Sequence, residues 1–344
     1  MHSVKSICTV IALVATTQSV LAEQTITVMT YTGTYQDRYA KAVIDPFRAA
    51  NPDIKVQHFP VTNSAQMLGL MRAQKASPQI DIAILDVSVA KAATDEGLFV
   101  KLDETNIPSI KDLVPEARVP EVAGVGHTLD SLVMVYSAEA FPEPPKAWME
   151  MADAKNKKKV AMLGMPDIQS LGLLLVLNRA NGGGTDPQNY EKGIAALGEI
   201  APNVLTWDPK PEIFQAIASG QVAMGTAWNA RAQVNIDLSN QKIKATSPKE
   251  GSVMQIDTIN LVANGPNSDA AKKFINYALG QEAQKSFAEA MFYIPTNSKV
   301  VVSDVAKTRS GRAPNILPVD WIAVAKVREG ITEQWRRKVI PLSR

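Results

Sequence analysis

Between residues 25 and 86 the chain switches repeatedly between a β pattern and a helical one, and that restricts its fold more than any other feature. "TITVMTY" (25–31) alternates, with Ile26 and Val28 on one side, as a half-buried strand should. "YQDRYAKAVIDPFRAAN" (35–51) places Tyr39, Val43 and Phe47 four apart on one helical face, and Pro46 predicts a kink or a late boundary. "DIKVQHF" (53–59) reads as a second strand and "SAQMLGLMRAQKA" (64–76) as a second helix. "IDIAILD" (80–86) is apolar almost throughout, the habit of a parallel strand buried on both faces. Such a βαβαβ unit, with right-handed crossovers, builds an open doubly wound sheet.

A second series follows "GVGH" (124–127). "SLVMVYS" (131–137) is expected as a strand, "PPKAWMEMADA" (144–154) as a helix opened by prolines, and "KKVAML" (158–163) as a strand. Helix 168–181 stops at Gly182-Gly183-Gly184. Segments 190–200, 203–207, 212–220 and 221–227 continue the alternation, 251–265 looks like paired strands, and 268–291 is helical with a break near Gly280. Two α/β lobes are therefore expected, with the chain crossing between them near 127–131 and again near 252–257.

Open α/β sheets bind ligands beyond the carboxyl ends of their strands. Here those ends carry Tyr31 to Tyr35, Asp86-Val87-Ser88, Pro166-Asp167 and Trp228-Asn229-Ala230-Arg231, while Asp130-Ser131 and Gln255-Ile256-Asp257 sit at the crossings. Aromatic walls and several carboxylates around one cleft suit a small amine, since an ammonium group is held by carboxylates and by ring faces.

Bulk properties narrow the alternatives. The first 22 residues combine an early Lys5, a short apolar run and Val20-Leu21-Ala22, the layout of a secretory leader cleaved after Ala22. That run is too short to span a bilayer, and no later segment reaches the ~20 apolar residues a span needs, so export to the periplasm in soluble form is expected. The single cysteine, Cys8, falls inside the leader, which leaves the exported chain without a disulfide, a thiol nucleophile or a thiolate metal site. The full chain has 36 basic and 34 acidic residues, a balance with no footprint for nucleic acid. The basic run "KNKKK" (155–159) reads as a solvated loop.

The order of several segments resembles the ABC-importer solute-binding proteins of the spermidine/putrescine class. "GSVMQIDTINLVANGPNSDAAKKFINYALGQEAQKSFAEAMFYIPTN" resembles their closing segment, "MGTAWNARAQV" their tryptophan segment, and "ITVMTYTGTYQDRYAKAVIDPFRAANPDIKV" with "DIAILDVSVAKAATDEGLFVKLD" their opening. The resemblance implies a two-lobed periplasmic-binding-protein fold of type II, with two doubly wound sheets joined by hinge crossovers. Lobe 1 would comprise 23–128 with 256–303, and lobe 2 129–255 with 304–344. It also implies a cage tryptophan at Trp228, an ammonium-binding aspartate at Asp257, aromatics at Tyr35 and Tyr293, and a second-lobe acid at Asp167. This chain departs from the family in having Ser170 where a further acid is expected, Gln255 beside Asp257, and Ser88 after the third strand, with Asp86 just before it.

Arg231 lies three residues beyond Trp228, on the same helical face. Its bland reading is a solvated arginine in a first helical turn. Its sharp reading is a fork for a carboxylate, which makes the ligand an amino acid of the γ-aminobutyrate kind rather than a diamine. Asp167, Asp86 and Asp130 have their own bland reading as helix caps or turn residues. The candidate ligand residues are thus Tyr35, Asp86, Ser88, Asp130, Asp167, Trp228, Arg231, Asp257 and Tyr293, with no catalytic residue, metal or cofactor. The expected protein is a monomeric receptor that closes about a hinge and hands its amine to an inner-membrane ABC permease. Two alternatives use the same chain: a receptor for chemotaxis or regulation, and an exported acyl-enzyme built on Ser88-Val89-Ala90-Lys91, which fits S-x-x-K but lacks the partner motifs.

Overall fold

Strand β1 (Gln24–Tyr31) forms where the alternating pattern lies, and it buries its last four residues. The following helical stretch is continuous but not uniform: α1 (Thr34–Tyr39) passes through a π turn at Ala40–Ile44 into α2 (Asp45–Ala50). Proline has no N–H to give the ladder, and the wider turn absorbs the mismatch just ahead of Pro46. β2 (Ile54–Val61) and α3 (Ser64–Ala73) lead to β3 (Ile82–Asp86), buried at every residue. α4 (Val87–Asp95) and the short β4 (Phe99–Val100) complete this unit. The computed structural model describes residues 24–210, 212–310 and 315–344, so the expected leader lies outside the described residues.

β5 (Val125–Ser137) is a long strand, buried along nearly its whole length. After it come β6 (Val160–Ala161), α5 (Ile168–Ala180), α6 (Glu191–Ile200), β7 (Val204–Thr206), α7 (Ile213–Ala218), β8 (Met224–Trp228), α8 (Asn229–Leu238) and β9 (Ile243–Thr246). The chain returns through β10 (Ser252–Val262) to α9 (Ser268–Ala278), α10 (Gln281–Met291), β11 (Ile294–Pro295), α11 (Asp304–Arg309) and β12 (Ile316–Leu317). It closes with α12 (Trp321–Lys338), the longest helix described.

The main strand order is β2-β1-β3-β10-β5-β8-β6-β7. β1 is parallel to β2 and β3, and β6 is parallel to β7 and β8. Between these parallel groups, β10 is antiparallel to β3 and β5, and β5 is antiparallel to β8. β5 changes partners along its length: 125–131 pairs with β10, and 132–137 with β8 and β9. This is the two-lobed α/β fold, and the ends of β1, β3 and β8 point into the space between the lobes. Among the described residues, no helix is long and apolar enough to cross a membrane.

Two local expectations need correction. Segment 251–265 is one strand rather than a pair, because "SVMQIDTINLV" contains no turn residue. Its irregularity is a register shift against β5 between Asp257 and Thr258. Segment 144–154 forms two short 3-10 turns, Trp148–Ala152 and Ala154–Asn156, in place of an α-helix. Trp148 is fully buried there and donates its indole N–H to the Gly251 carbonyl at 2.8 Å. That tertiary anchor outweighs the weak helical pattern of the segment.

Candidate ligand cleft

Each strand end delivers a side chain to one cavity of about 300 Å³ between the lobes. From the first lobe come Tyr31, at the end of β1, Ser64, at the start of α3, and Asp86, at the end of β3. β10 contributes Asp257, which the register sets directly opposite Asp86. The second lobe adds Asp167, Trp228 and Arg231, and Tyr293 follows α10.

Asp257 is the chemical centre of the first-lobe wall. It is 2 % exposed; the Tyr31 hydroxyl donates to its Oδ1 at 3.0 Å and the Gln255 amide at 2.9 Å. Tyr31 is steadied in turn by the Ser64 hydroxyl at 2.8 Å. Burial pushes the Asp257 carboxyl up to about 7, and the facing Asp86 carboxylate pushes the same way. The Tyr31 hydrogen bond and the Arg231 charge oppose them. A buried acid with only neutral donors is poised to gain from an arriving cation.

Asp86 and Asp167 do two jobs. Asp86 caps α4, its Oδ1 accepting from the backbone N–H groups of Ser88 and Val89 at 3.1 Å and from the Ser88 hydroxyl at 2.5 Å. Asp167 caps α5 by accepting from Gln169 N–H at 2.8 Å. Its carboxyl is raised to about 6, chiefly by burial, with the Gln169 N–H pulling the other way. Both caps still line the cavity, so the bland and sharp readings of these residues coexist.

Arg231 lies in the first turn of α8 and lines the same cavity, with its guanidinium 5.7 Å from the Tyr31 ring centroid. It is not free. Glu212, just ahead of α7, accepts from its Nη1 at 2.6 Å. That contact takes one of five guanidinium donors. Glu212 itself reaches across to the first lobe, where Gly33 turns the chain into α1 at φ 71; a Cβ there would lie 3.2 Å from its Oε1.

Three of the expected site residues lie elsewhere. Tyr35 is wholly buried behind the wall, packed between Tyr31, Tyr39, Phe287 and Tyr293, and is not part of the cavity lining. Tyr31 occupies the place expected of it, because the last residue of a strand faces the cleft while the next helical turn packs inward. Asp130 is a buried cap: it accepts from Ala230 N–H at 3.1 and 3.2 Å and from Ser131 N–H at 2.8 Å, securing the start of α8. It does this in place of Trp228, which occupies the N-cap position without a capping side chain. Ser88 is 1 % exposed and spends its hydroxyl on Asp86. Lys91, its partner in the acyl-enzyme alternative, is bound to Asp95 at 2.5 Å instead.

Other lining residues went unread in the sequence: Ser64, Trp207, Asp208, and Arg328 and Trp335 from α12. The signal for α12 was present. Asp320 caps it by accepting from Ile322 and Ala323 N–H at 3.0 and 2.9 Å, and Trp321, Val324, Ile331 and Trp335 fall on one buried face. Sequence alone shows that such a helix forms, not that it returns to the cleft.

Comparison with known proteins agrees with this architecture. The chain is 26% identical over 279 residues to the spermidine/putrescine-binding periplasmic protein 1 of Haemophilus influenzae, covering 78% of this chain and 75% of the relative. It is 24% identical over 287 residues to the gamma-aminobutyric acid-binding protein of Pseudomonas aeruginosa, covering 80% and 77%. The solved structure of a GABA receptor superposes with a TM-score of 0.74 at 22% identity, covering 91% of this chain and 97% of that one. The family described as bacterial extracellular solute-binding protein matches residues 42–314, and with the lobes and the cleft in place, this chain belongs to that family.

Proposed function

We propose that the protein captures a small solute bearing one ammonium group and one separated anionic group, of the γ-aminobutyrate kind, and presents it to an ABC permease. The observation that carries this reading is that Asp257 and Arg231 line one cavity, walled by the rings of Tyr31, Trp228 and Tyr293. The ammonium would sit against Asp257 and the aromatic faces, and the carboxylate would take guanidinium donors of Arg231 that Glu212 leaves. Relatives named for spermidine, putrescine and gamma-aminobutyric acid support an amine as the class of ligand.

Under the same proposal the leader is removed, the protein works as a periplasmic monomer, and lobe 1 (23–128 with 256–303) closes on lobe 2 (129–255 with 304–344) about β5 and β10. Ligand contacts from both lobes would favour the closed form. A polyamine is the second reading, and one feature favours it. Carboxylates outnumber guanidinium groups in the cavity lining, with Asp86, Asp167, Asp208 and Asp257 against Arg231 and Arg328.

The test is calorimetric titration of the leaderless protein with γ-aminobutyrate, putrescine and spermidine, alongside the thermal shift each produces. Saturable binding of γ-aminobutyrate in preference to the two polyamines supports the first reading. Preference for putrescine or spermidine transfers support to the second, and no binding by any of the three removes both.

A further inference from the structure

The charged groups around the cleft are not equally compensated. Arg231 is held by Glu212 at 2.6 Å, and Asp208 by Lys210 at 3.1 Å. Arg328 is different. It projects from α12, lines the cavity, and has no ion-pair partner among the described residues.

Its guanidinium spans the two sides of the cleft. On the first-lobe side, Nη1 donates to the Ser88 hydroxyl at 3.3 Å, and that hydroxyl donates onward to Asp86 at 2.5 Å. On the second-lobe side, Nε and Nη2 donate to the Pro166 carbonyl at 3.1 and 2.6 Å, one residue before Asp167. Arg328 therefore stands between Asp86 and Asp167, its contacts two residues beyond the first and one residue before the second. A cation so placed faces both carboxylates and pulls the Asp167 carboxyl down, whereas the charge that opposes the rise at Asp257 is that of Arg231.

Size and shape would not exclude a diamine from such a cleft; charge would. With one ammonium at Asp257, the acids that remain for a second are Asp86 and Asp167, and Arg328 already stands between them. Two cations at close range in a partly desolvated site repel strongly. We propose that Arg328 selects a ligand with a single ammonium over a diamine, by filling with its own guanidinium the charge position a second ammonium would need. The inference rests on the amino-acid reading of the cleft and adds to it a residue outside the Asp257–Arg231 pair.

The experiment titrates γ-aminobutyrate and putrescine into the wild-type protein, Arg328→Gln and Arg328→Lys. Arg328→Gln is expected to gain about tenfold in putrescine affinity, read as a rise in the ratio of putrescine to γ-aminobutyrate affinity. Arg328→Lys loses the fork to Pro166 but keeps the charge, so it should retain wild-type selectivity. A gain of affinity cannot arise from misfolding, which protects the result from the commonest artefact. If wild type prefers γ-aminobutyrate and Arg328→Gln shows no gain for putrescine, the inference falls and the amino-acid reading stands. If both variants change alike, the residue acts through Pro166 rather than through charge, and the inference falls again. A wild-type preference for putrescine overturns the underlying reading and this inference with it.

Discussion

The two walls of the cleft handle charge in opposite ways. On the first lobe, Asp86 and Asp257 face each other across β3 and β10, both buried and tied to neutral donors. On the second, Arg231 is shielded too, but Glu212 compensates it at 2.6 Å. Burial penalises a lone charge and tolerates a paired one. The first wall therefore gains most when a cation arrives. At Arg231, the second gains only as far as a ligand's anion adds to Glu212 or displaces it. On the proposed reading, the ammonium end is the anchor and the anionic end tunes selectivity.

The hardest blow to that contrast is Asp257→Asn. Removing the anchor should weaken any amine by on the order of 100-fold or more, because an ammonium would then be desolvated without a counter-charge. Calorimetry measures the loss. Unliganded stability should hold or rise, since the facing Asp86 loses a like-charged neighbour. Binding that survives intact would mean that the first wall is not where the ammonium rests.

Arg231→Ala comes next. It should cost a γ-aminobutyrate-like ligand roughly 10- to 100-fold and leave putrescine unaffected or improved, read as the ratio of the two dissociation constants. An equal loss for both ligands would assign Arg231 a role in packing rather than in carboxylate recognition.

Acidity sharpens the comparison further. The carboxyls of Asp257 and Asp167 are raised to about 7 and about 6, both chiefly by burial. For an acid whose folded value lies above its unfolded one, stability is fully present below the unfolded value near 4 and is lost as pH rises through the folded value. Unliganded protein should therefore lose this contribution between about pH 4 and 7. Ligand affinity should move the other way, since only the ionised Asp257 pairs with an ammonium. It should fall by up to about tenfold per unit below pH 7, with proton release visible as a buffer-dependent binding enthalpy. Affinity that stays flat from about pH 5 to 8 would show that Asp257 is not the ionised partner.

The smallest effect is expected from Glu212→Gln. Freeing Arg231 from its paired carboxylate should raise amino-acid affinity by about three- to tenfold and lower that of a diamine, measured in the same titration. No change in either would show that Glu212 and the ligand never compete for the same donors.

How much of this was legible beforehand follows from how local each signal is. β1, β3, the interrupted 268–291 helix and the capping aspartates at 86 and 167 are written in neighbouring residues, by periodicity and by the reach of a side chain to its own backbone. The strand-end rule led to the right stretches, Tyr31 to Tyr35 among them. It could not choose between Tyr31 and Tyr35, because that depends on which ring the α10 residue Phe287 packs behind. Asp130 and Asp257, both acids at crossings, look alike as sequence. One is consumed by the start of α8 and the other opens on the cavity, a difference set by which groups the fold packs against each.

The sequence by itself determined the alternation, the lobed class and the amine-binding vocabulary of carboxylates and aromatic rings, because each rests on short-range pattern. Tertiary structure alone decided that Glu212 pairs with Arg231, that Arg328 arrives from 240 positions away to meet Ser88, and that Tyr35 packs inward. Charge compensation and burial belong to neighbours in space, and a linear pattern does not encode them.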